Sequence, residues 1–351
     1  MNSIAFQRLI NQQIANTHLK HPPEIVSHLG AMQAQEFAMA KWAIGLRLPG
    51  VKETDIDIAF NNGDILRTHL LRPTWHFVAR QDIRWLLALT APRVNQANAF
   101  MYRQCGLDVA IFNHSNDVIT KALQGGKHLT REELQAELDK ANIKAEGFRL
   151  SYIMMRSELD GIICSGPRKG NQFTYALLDE RVSNEKKLNR KEALVELTAR
   201  YFTSRGPATV QDFSYWSGLT MKEATEGIEM TKSLFQHEMI EGKAYFFVSI
   251  ETAPTDNIQS TFFMPDYDEY GMSYKDRNAL ANQAFEGSLT FNRLVIVDGT
   301  VAGSWKRTVK KNKVLLEVIK NVPLTQTQQE KMVASARKFS DFIEKSLEIV
   351  A

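Results

Sequence analysis

The sequence predicts a mainly α protein with β elements (α+β), built from repeated helical units that each close on a short hairpin, and ending in a β-rich segment. Three observations predict it. The order helix, helix, helix, hairpin recurs three times along the chain. Capping-box pairs that start helices recur at Thr130/Glu133, Thr220/Glu223 and Thr325/Gln328. Beyond Ser260 the apolar spacing changes from that of helices to that of strands. With 351 residues, 44% of them hydrophobic and 24% charged, the chain exceeds what one small core organises, so two or more domains are expected.

In the first repeat Phe6, Leu9, Ile10 and Ile14 keep helical spacing. Pro22 and Pro23 precede a helix carrying Ile25, Val26 and Leu29, and a third helix begins near Phe37. A short helix over Asp55 to Phe60 is closed by Asn62-Gly63, and a hairpin follows with strands Ile65 to Leu71 and Thr74 to Ala79. In the second repeat the helix after Thr130 carries Leu134 and Leu138, and another runs from Leu150 to Leu159, stopped by Gly161. The hairpin pairs Ile162 to Cys164 with Gln172 to Leu178 around Gly166-Pro167-Arg168-Lys169-Gly170.

The third repeat starts on Leu194, Leu197 and Tyr201, breaks at Gly206-Pro207 and resumes at Thr209. Ser217-Gly218-Leu219-Thr220 then separates two short helices, a helix-turn-helix signature, and a hairpin crosses Glu241-Gly242 with Ala244 to Val248 as its return strand. Each repeat therefore predicts a winged-helix unit, its hairpin the wing. The boundaries fall at 1–115, 116–185 and 186–255. Segment 256–351 holds strands at Thr261 to Met264, Arg293 to Val297, Val301 to Lys306 and Val314 to Ile319. A last helix then places Met332, Ala336, Phe339, Ile343 and Leu347 on one face, predicting a small β-barrel-like domain closed by a helix.

Composition narrows the function classes. No run of eighteen apolar residues is present and Met1 to Lys20 reads as a polar amphipathic stretch, so a cytoplasmic, nucleoid-associated protein without membrane contact is expected. Cys105 and Cys164 have no CxxC partner and no histidines at ligand spacing, which predicts neither a disulfide framework nor a metal site. A net charge of +3 permits nucleic-acid binding. Cations at hairpin tips reach phosphates, which makes Arg67 and Arg72 on the first wing, Arg168 and Lys169 on the second, and Lys306, Arg307, Lys310, Lys311 and Lys313 in the last segment the candidate DNA contacts.

Three groups carry possible chemistry. Gln33-Ala34-Gln35 falls between helical patterns, and its two amides share one side only if the segment is extended. On its own a QxQ triplet is a short motif with many chance matches. Asp266, Asp268 and Glu269, with Tyr270 and Tyr274, form an acidic cluster suited to acid/base work or a metal; a structural role with Lys275 or Arg277 as ion partner is the favoured reading. His69 and His76 lie on the first wing and receive no catalytic role. Trp42, Trp75, Trp216 and Trp305 have apolar neighbours and are assigned to the core.

Several stretches together resemble the AlkZ/YcaQ-like winged-helix DNA glycosylases. They are Leu29 to Gln35, Lys41-Trp42-Ala43, Leu66 to Thr68 with Arg72 to Phe77, Gln172 to Leu177, Gly206 to Leu219, Pro265 to Arg277 and Gly303 to Arg307. The resemblance spans nearly the whole chain. It implies that Gln33 and Gln35 are the catalytic QxQ pair, in the branch that resembles enzymes acting on bulky adducts and interstrand crosslinks. Ala34, a small middle residue, departs from the pattern and bears on how the two side chains are propped.

The implied activity is that of a monofunctional glycosylase, without cofactor, acting as a monomer on double-stranded DNA with alkylated or crosslinked bases. A purine alkylated at N7 or N3 is already a cationic leaving group, so the enzyme chiefly orients water and stabilises oxocarbenium-like charge. Neutral amides can do this through their carbonyl oxygens, although they cannot act as strong bases. Two other readings compete: a non-enzymatic winged-helix transcriptional regulator reading DNA with the helix after Thr220, and a metal-dependent nuclease centred on the acidic cluster.

Overall fold

The computed structural model describes residues 4–183, 186–248, 260–281 and 293–350. The chain opens with α1 (Ile4–Asn11), α2 (Pro22–Leu29), a two-residue strand β1 (Met32–Gln33), α3 (Phe37–Arg47) and α4 (Glu53–Asn62). The first hairpin is β2 (Ile65–Leu70) with β3 (Thr74–Ala79), in the register Arg67 opposite Phe77 and His69 opposite Trp75. Leu71 takes φ +59° to make the turn, which ends the strand one residue before the sequence suggests.

Two long helices, α5 (Ile83–Gln104) and α6 (Val109–Leu123), come next, where the sequence reading placed none. After β4 (Leu129–Thr130) follow α7 (Arg131–Lys140), α8 (Gly147–Leu159), β5 (Ile163–Ser165), β6 (Thr174–Leu177) and a one-turn α9 (Leu178–Arg181). The third helical stretch is α10 (Arg190–Arg205), α11 (Val210–Ser217) and α12 (Met221–Thr231), closed by the hairpin β7 (Gln236–Ile240) and β8 (Lys243–Phe247). The last segment contains β9 (Thr261–Phe263), α13 (Glu269–Met272), β10 (Leu294–Val297), β11 (Thr300–Val309), β12 (Lys313–Lys320), α14 (Gln326–Phe342) and β13 (Ser346–Val350).

All three capping boxes form: Thr130, Thr220 and Thr325 each accept from the third residue of the helix they start, and Glu133, Glu223 and Gln328 return the contact. The helix-turn-helix glycine is obligatory. Gly218 has φ +71°, and a Cβ there would sit 2.3 Å from the Leu71 carbonyl oxygen.

By its contacts the chain divides into two compact units, residues 1–57, 195–216 and 220–351 in one, and 58–194 with 217–219 in the other. This division runs across the four sequence segments rather than along them. The first unit is centred on the sheet β13-β12-β11-β10-β9, in which β12 and β13 are parallel and the other pairs antiparallel. Among the described residues β9 and β13 are opposite edges, so these strands form an open sheet where a barrel-like closure was expected.

Helix α14 packs on the sheet through an aromatic cluster: Phe339 meets Trp42 and Trp305 edge-on at 5.1 and 5.2 Å. The indole N–H groups of Trp42 and Trp305 donate to the Phe263 and Met264 carbonyls at 2.8 Å, which satisfies the one polar atom each ring buries. The sequence reading extended the final helix through Leu347. Instead the helix stops at Phe342, Glu344 turns with φ +53°, and Leu347 lies in β13 opposite Val314.

The second unit has its core where α5, α6, α7 and α8 meet β5 and β6, around Tyr102, Phe112, Ile119, Leu134, Leu138 and Ile153. Strand β6 lies between β4 and β5. The first hairpin is tied to this core where the Arg67 N–H donates to the Ser165 hydroxyl at 2.8 Å.

Candidate active site and nucleic-acid interface

The chain is extended through Gln33, where the two-residue strand ends, and bends at Gln35, and its backbone up to Gln33 is held by buried charges. Its strand begins beyond Gly30, whose φ of +72° lets the chain leave α2 sharply. Within the first unit the Arg205 guanidinium, fully buried at the end of α10, donates to the carbonyls of Leu29 at 2.7 Å and Ala31 at 3.0 Å. It also pairs with Glu269 at 2.8 Å. The other Glu269 oxygen accepts the Gln33 N–H at 2.9 Å.

Three further groups hold this clamp in place. The Trp216 indole N–H and the Ser273 hydroxyl each donate to Glu269 at 2.8 Å, and Ser273 accepts from Arg205 Nε. Burial alone would raise the Glu269 pKa. The Arg205 charge and hydrogen bond, with those from Gln33 and Ser273, outweigh it and bring the pKa down to about 2. Glu269 is therefore a fixed anion that positions backbone, unsuited to taking up protons near neutral pH. Along the segment Gln33 is 7% exposed and Ala34 fully buried, whereas Gln35 is exposed.

The acidic cluster has a structural explanation, with partners different from the Lys275 or Arg277 expected. Asp268 chelates Arg47 at 2.8 and 3.0 Å, while Arg47 also donates to the Gln12 and Ala43 carbonyls. Asp268 further caps α13 by accepting the Tyr270 N–H. Asp266 pairs with Arg293 at 2.9 Å; burial pushes its carboxyl up, against the nearby Arg293 and Arg307 charges. Lys275 offers its backbone N–H to Asp212, and the Arg277 guanidinium bonds the Gly271 carbonyl and the Tyr215 hydroxyl. Among the described residues no group of three or more His, Cys, Asp or Glu side chains is arranged to hold a metal.

The candidate DNA contacts differ in accessibility. Lys169, Lys306, Lys310 and Lys311 are exposed, with Lys169 paired to Glu133 at 2.8 Å. Lys313 pairs with Glu348. Arg72, Arg168 and Arg307 are half-buried, and burial lowers the Arg307 pKa. Arg67 is only 8% exposed and stacks on Trp75 at 4.2 Å and Phe173 at 4.6 Å.

His69 contacts Glu158 through Nδ1 and lies against Trp75, and His76 contacts the Thr74 carbonyl. Trp42, Trp216 and Trp305 are core residues as expected, whereas Trp75 is half-buried. The sequence reading did not single out Arg205, Ser273 or Arg47. An arginine in a helical stretch gives no sign of burial when its partner carboxylate lies 64 or 221 positions away.

This mixed helix-and-sheet fold is shared with a solved DNA glycosylase, AlkZ of Streptomyces sahachiroi. The two superpose with a TM-score of 0.80 over 99% of this chain and 98% of that one, at 18% identity. A curated relative, the interstrand DNA cross-link repair glycosylase of the same organism, is 23% identical over 314 residues, 81% of each protein. The family model for the DNA glycosylase AlkZ-like proteins matches residues 26–342, and the chain belongs to that family.

Proposed function

We propose that this protein is a monofunctional DNA glycosylase that hydrolyses the N-glycosidic bond of cationic alkylated purines, interstrand crosslinks included, and that Gln33 and Gln35 are its catalytic residues. The observation that carries this reading is the extended Met32–Gln33 segment held through the Gln33 amide by the buried Glu269–Arg205 pair. Backbone held fixed at the first of the two amides serves orientation of water and stabilisation of sugar cation charge, since neither task requires a strong base. The name of the Streptomyces relative supports crosslinked DNA as one substrate.

In this reading residues 1–115, 116–185 and 186–255 are three winged-helix units, with the β2–β3, β5–β6 and β7–β8 hairpins as wings, followed by the β-rich 256–351 segment. Arg67, Arg72, Arg168, Lys169, Lys306 and Arg307 bring it to double-stranded DNA as a monomer in the cytoplasm. Phosphate contacts of this kind give salt-dependent affinity without sequence preference.

The test is base release from a duplex carrying N7-alkylguanine, in chelator, by the wild type and by folded Gln33→Ala and Gln35→Ala variants. Release by the wild type falling by roughly 100-fold in each variant is expected, the scale seen when one preorganised group that stabilises transition-state charge is removed. Release unchanged in both variants, or release of uracil by the wild type, would sink the proposal.

A further inference from the structure

Within the first unit a group of charges gathers around Arg307 of β11. Burial lowers the Arg307 pKa; Arg293 lowers it further, while Asp266, Glu53 and Glu36 raise it. Three of these four neighbours are committed elsewhere. Asp266 and Arg293 hold each other at 2.9 Å, and Glu53 shares the buried Lys41 ammonium with Asp57, both at 2.9 Å. Glu36 and Arg307 are what remains. Among the described residues neither makes an ion pair or a side-chain hydrogen bond, with the other or with any third group, and Arg307 lies over the Phe339 ring at 5.8 Å.

Glu36 directly follows Gln35. Gln33 and Ala34 are buried, whereas Gln35 and Glu36 are both exposed, so the glutamine segment reaches the surface at these two residues. Glu36 is also the N-cap of α3, where its carbonyl accepts the Ala40 N–H at 2.8 Å, yet its side chain caps no helix N–H. Its carboxylate is consumed neither by a cation nor by the helix. On a surface that meets DNA such a charge repels phosphate and weakens binding.

The chemistry proposed for the two glutamines lacks one part that a carboxylate supplies. A neutral amide orients water but takes no proton from it. Water that attacks C1′ must lose a proton as the new C–O bond forms, and a positioned Glu is an ordinary acceptor for it. An anion beside the sugar also suits the positive charge that develops there. Arg307, one of the proposed phosphate contacts, would hold the strand on the side of Glu36. We propose that Glu36 is the general base of base release, a third catalytic residue beside Gln33 and Gln35. In this step the glycosidic bond breaks with its electron pair going to the cationic purine, which leaves neutral. The water oxygen bonds to C1′ and its proton goes to the Glu36 carboxylate. The assignment rests on the glycosylase reading given above.

The experiment follows single-turnover release of N7-methylguanine from a labelled duplex under excess wild type, Glu36→Gln and Glu36→Asp, over the pH range in which each protein stays folded. Affinity for the unmodified duplex is measured in parallel. Wild-type release is expected to fall as the pH drops and the carboxylate takes up a proton. Glu36→Gln is expected to release base roughly 100-fold more slowly, at the lower end of what general-base catalysis contributes, with that acid limb gone. Its affinity for the duplex should be unchanged or higher, because a negative charge has been removed. Glu36→Asp should keep the limb at a lower plateau. A helix-end charge with no part in the reaction would alter the thermal midpoint alone. The proposal is overturned by release within about three-fold of wild type in Glu36→Gln, by an acid limb that persists in that variant, or by a slower rate explained by an equal loss of affinity. No release by the wild type would instead refute the glycosylase reading itself.

Discussion

Replacing Asp268 with alanine separates a structural acidic cluster from a catalytic one. Its carboxylate is 5% exposed and chelates a guanidinium with no exposure at all, through bonds of 2.8 and 3.0 Å. The substitution leaves the Arg47 charge buried without its counter-ion and takes the cap from the Tyr270 amide. Breaking one side of a buried pair costs about 3–5 kcal/mol, within which a lost cap accounts for about 1. At a urea slope near 3 kcal/mol/M this lowers the unfolding midpoint of the first unit by about 1 M or more.

Removing the stranded charge as well, in Asp268→Leu with Arg47→Met, should destabilise less than Asp268→Ala alone, because the uncompensated cation is what costs most. Base release per folded molecule should stay within a few-fold of the wild type throughout. A loss of under 1 kcal/mol together with abolished release would refute the structural assignment and return Asp268 to the chemistry.

Two further outcomes follow from the same packing. The Glu269 pKa of about 2 lies below its ordinary 4.5, so its contribution to stability is complete above the unfolded value and is lost as the pH falls from about 4.5 towards 2; urea midpoints measured across that window should fall more steeply in the wild type than in Glu269→Gln. Alanine at Gly45 would bring a Cβ within 2.5 Å of two ring atoms of Phe342, which is 2% exposed and packed on Trp42. The overpacking cost of about 1–3 kcal/mol should exceed the helix-propensity gain of about 1, giving a lower thermal midpoint that Phe342→Leu partly restores.

The elements legible in the sequence were those whose signal is local. Thr130/Glu133 and Thr220/Glu223 state their helix starts within four residues, and the β2–β3 strands on either side of the Arg72-Pro73 turn are placed within one residue. Helix α5 hid because Trp85, Leu86, Leu87, Leu89, Thr90 and Ala91 are all buried, leaving no single apolar stripe, and because Pro92 lies inside it. Strand β13 hid for the opposite reason. Phe339, Ile343 and Leu347 keep a helical four-residue spacing, and only the backbone turn at Glu344 breaks it.

At the candidate site the sequence placed Gln33-Ala34-Gln35 between two helices, where it lies, while the charges that hold its start were not legible. An ion pair is a fact of three-dimensional proximity, and Arg205, Arg47 and Arg293 reach the cluster from distant parts of the chain. Lys275 and Arg277 were attractive partners only because they are near in sequence.

The Gln33 amide finds its acceptor 236 residues further along the chain. During synthesis the glutamine segment leaves the ribosome early, yet the carboxylate that fixes it arrives only after the whole second unit has been made. An unfinished or prematurely terminated chain therefore carries both glutamines without the anchor that sets them. The fold in this way delays fixing of the Gln33 backbone until Glu269 has been made.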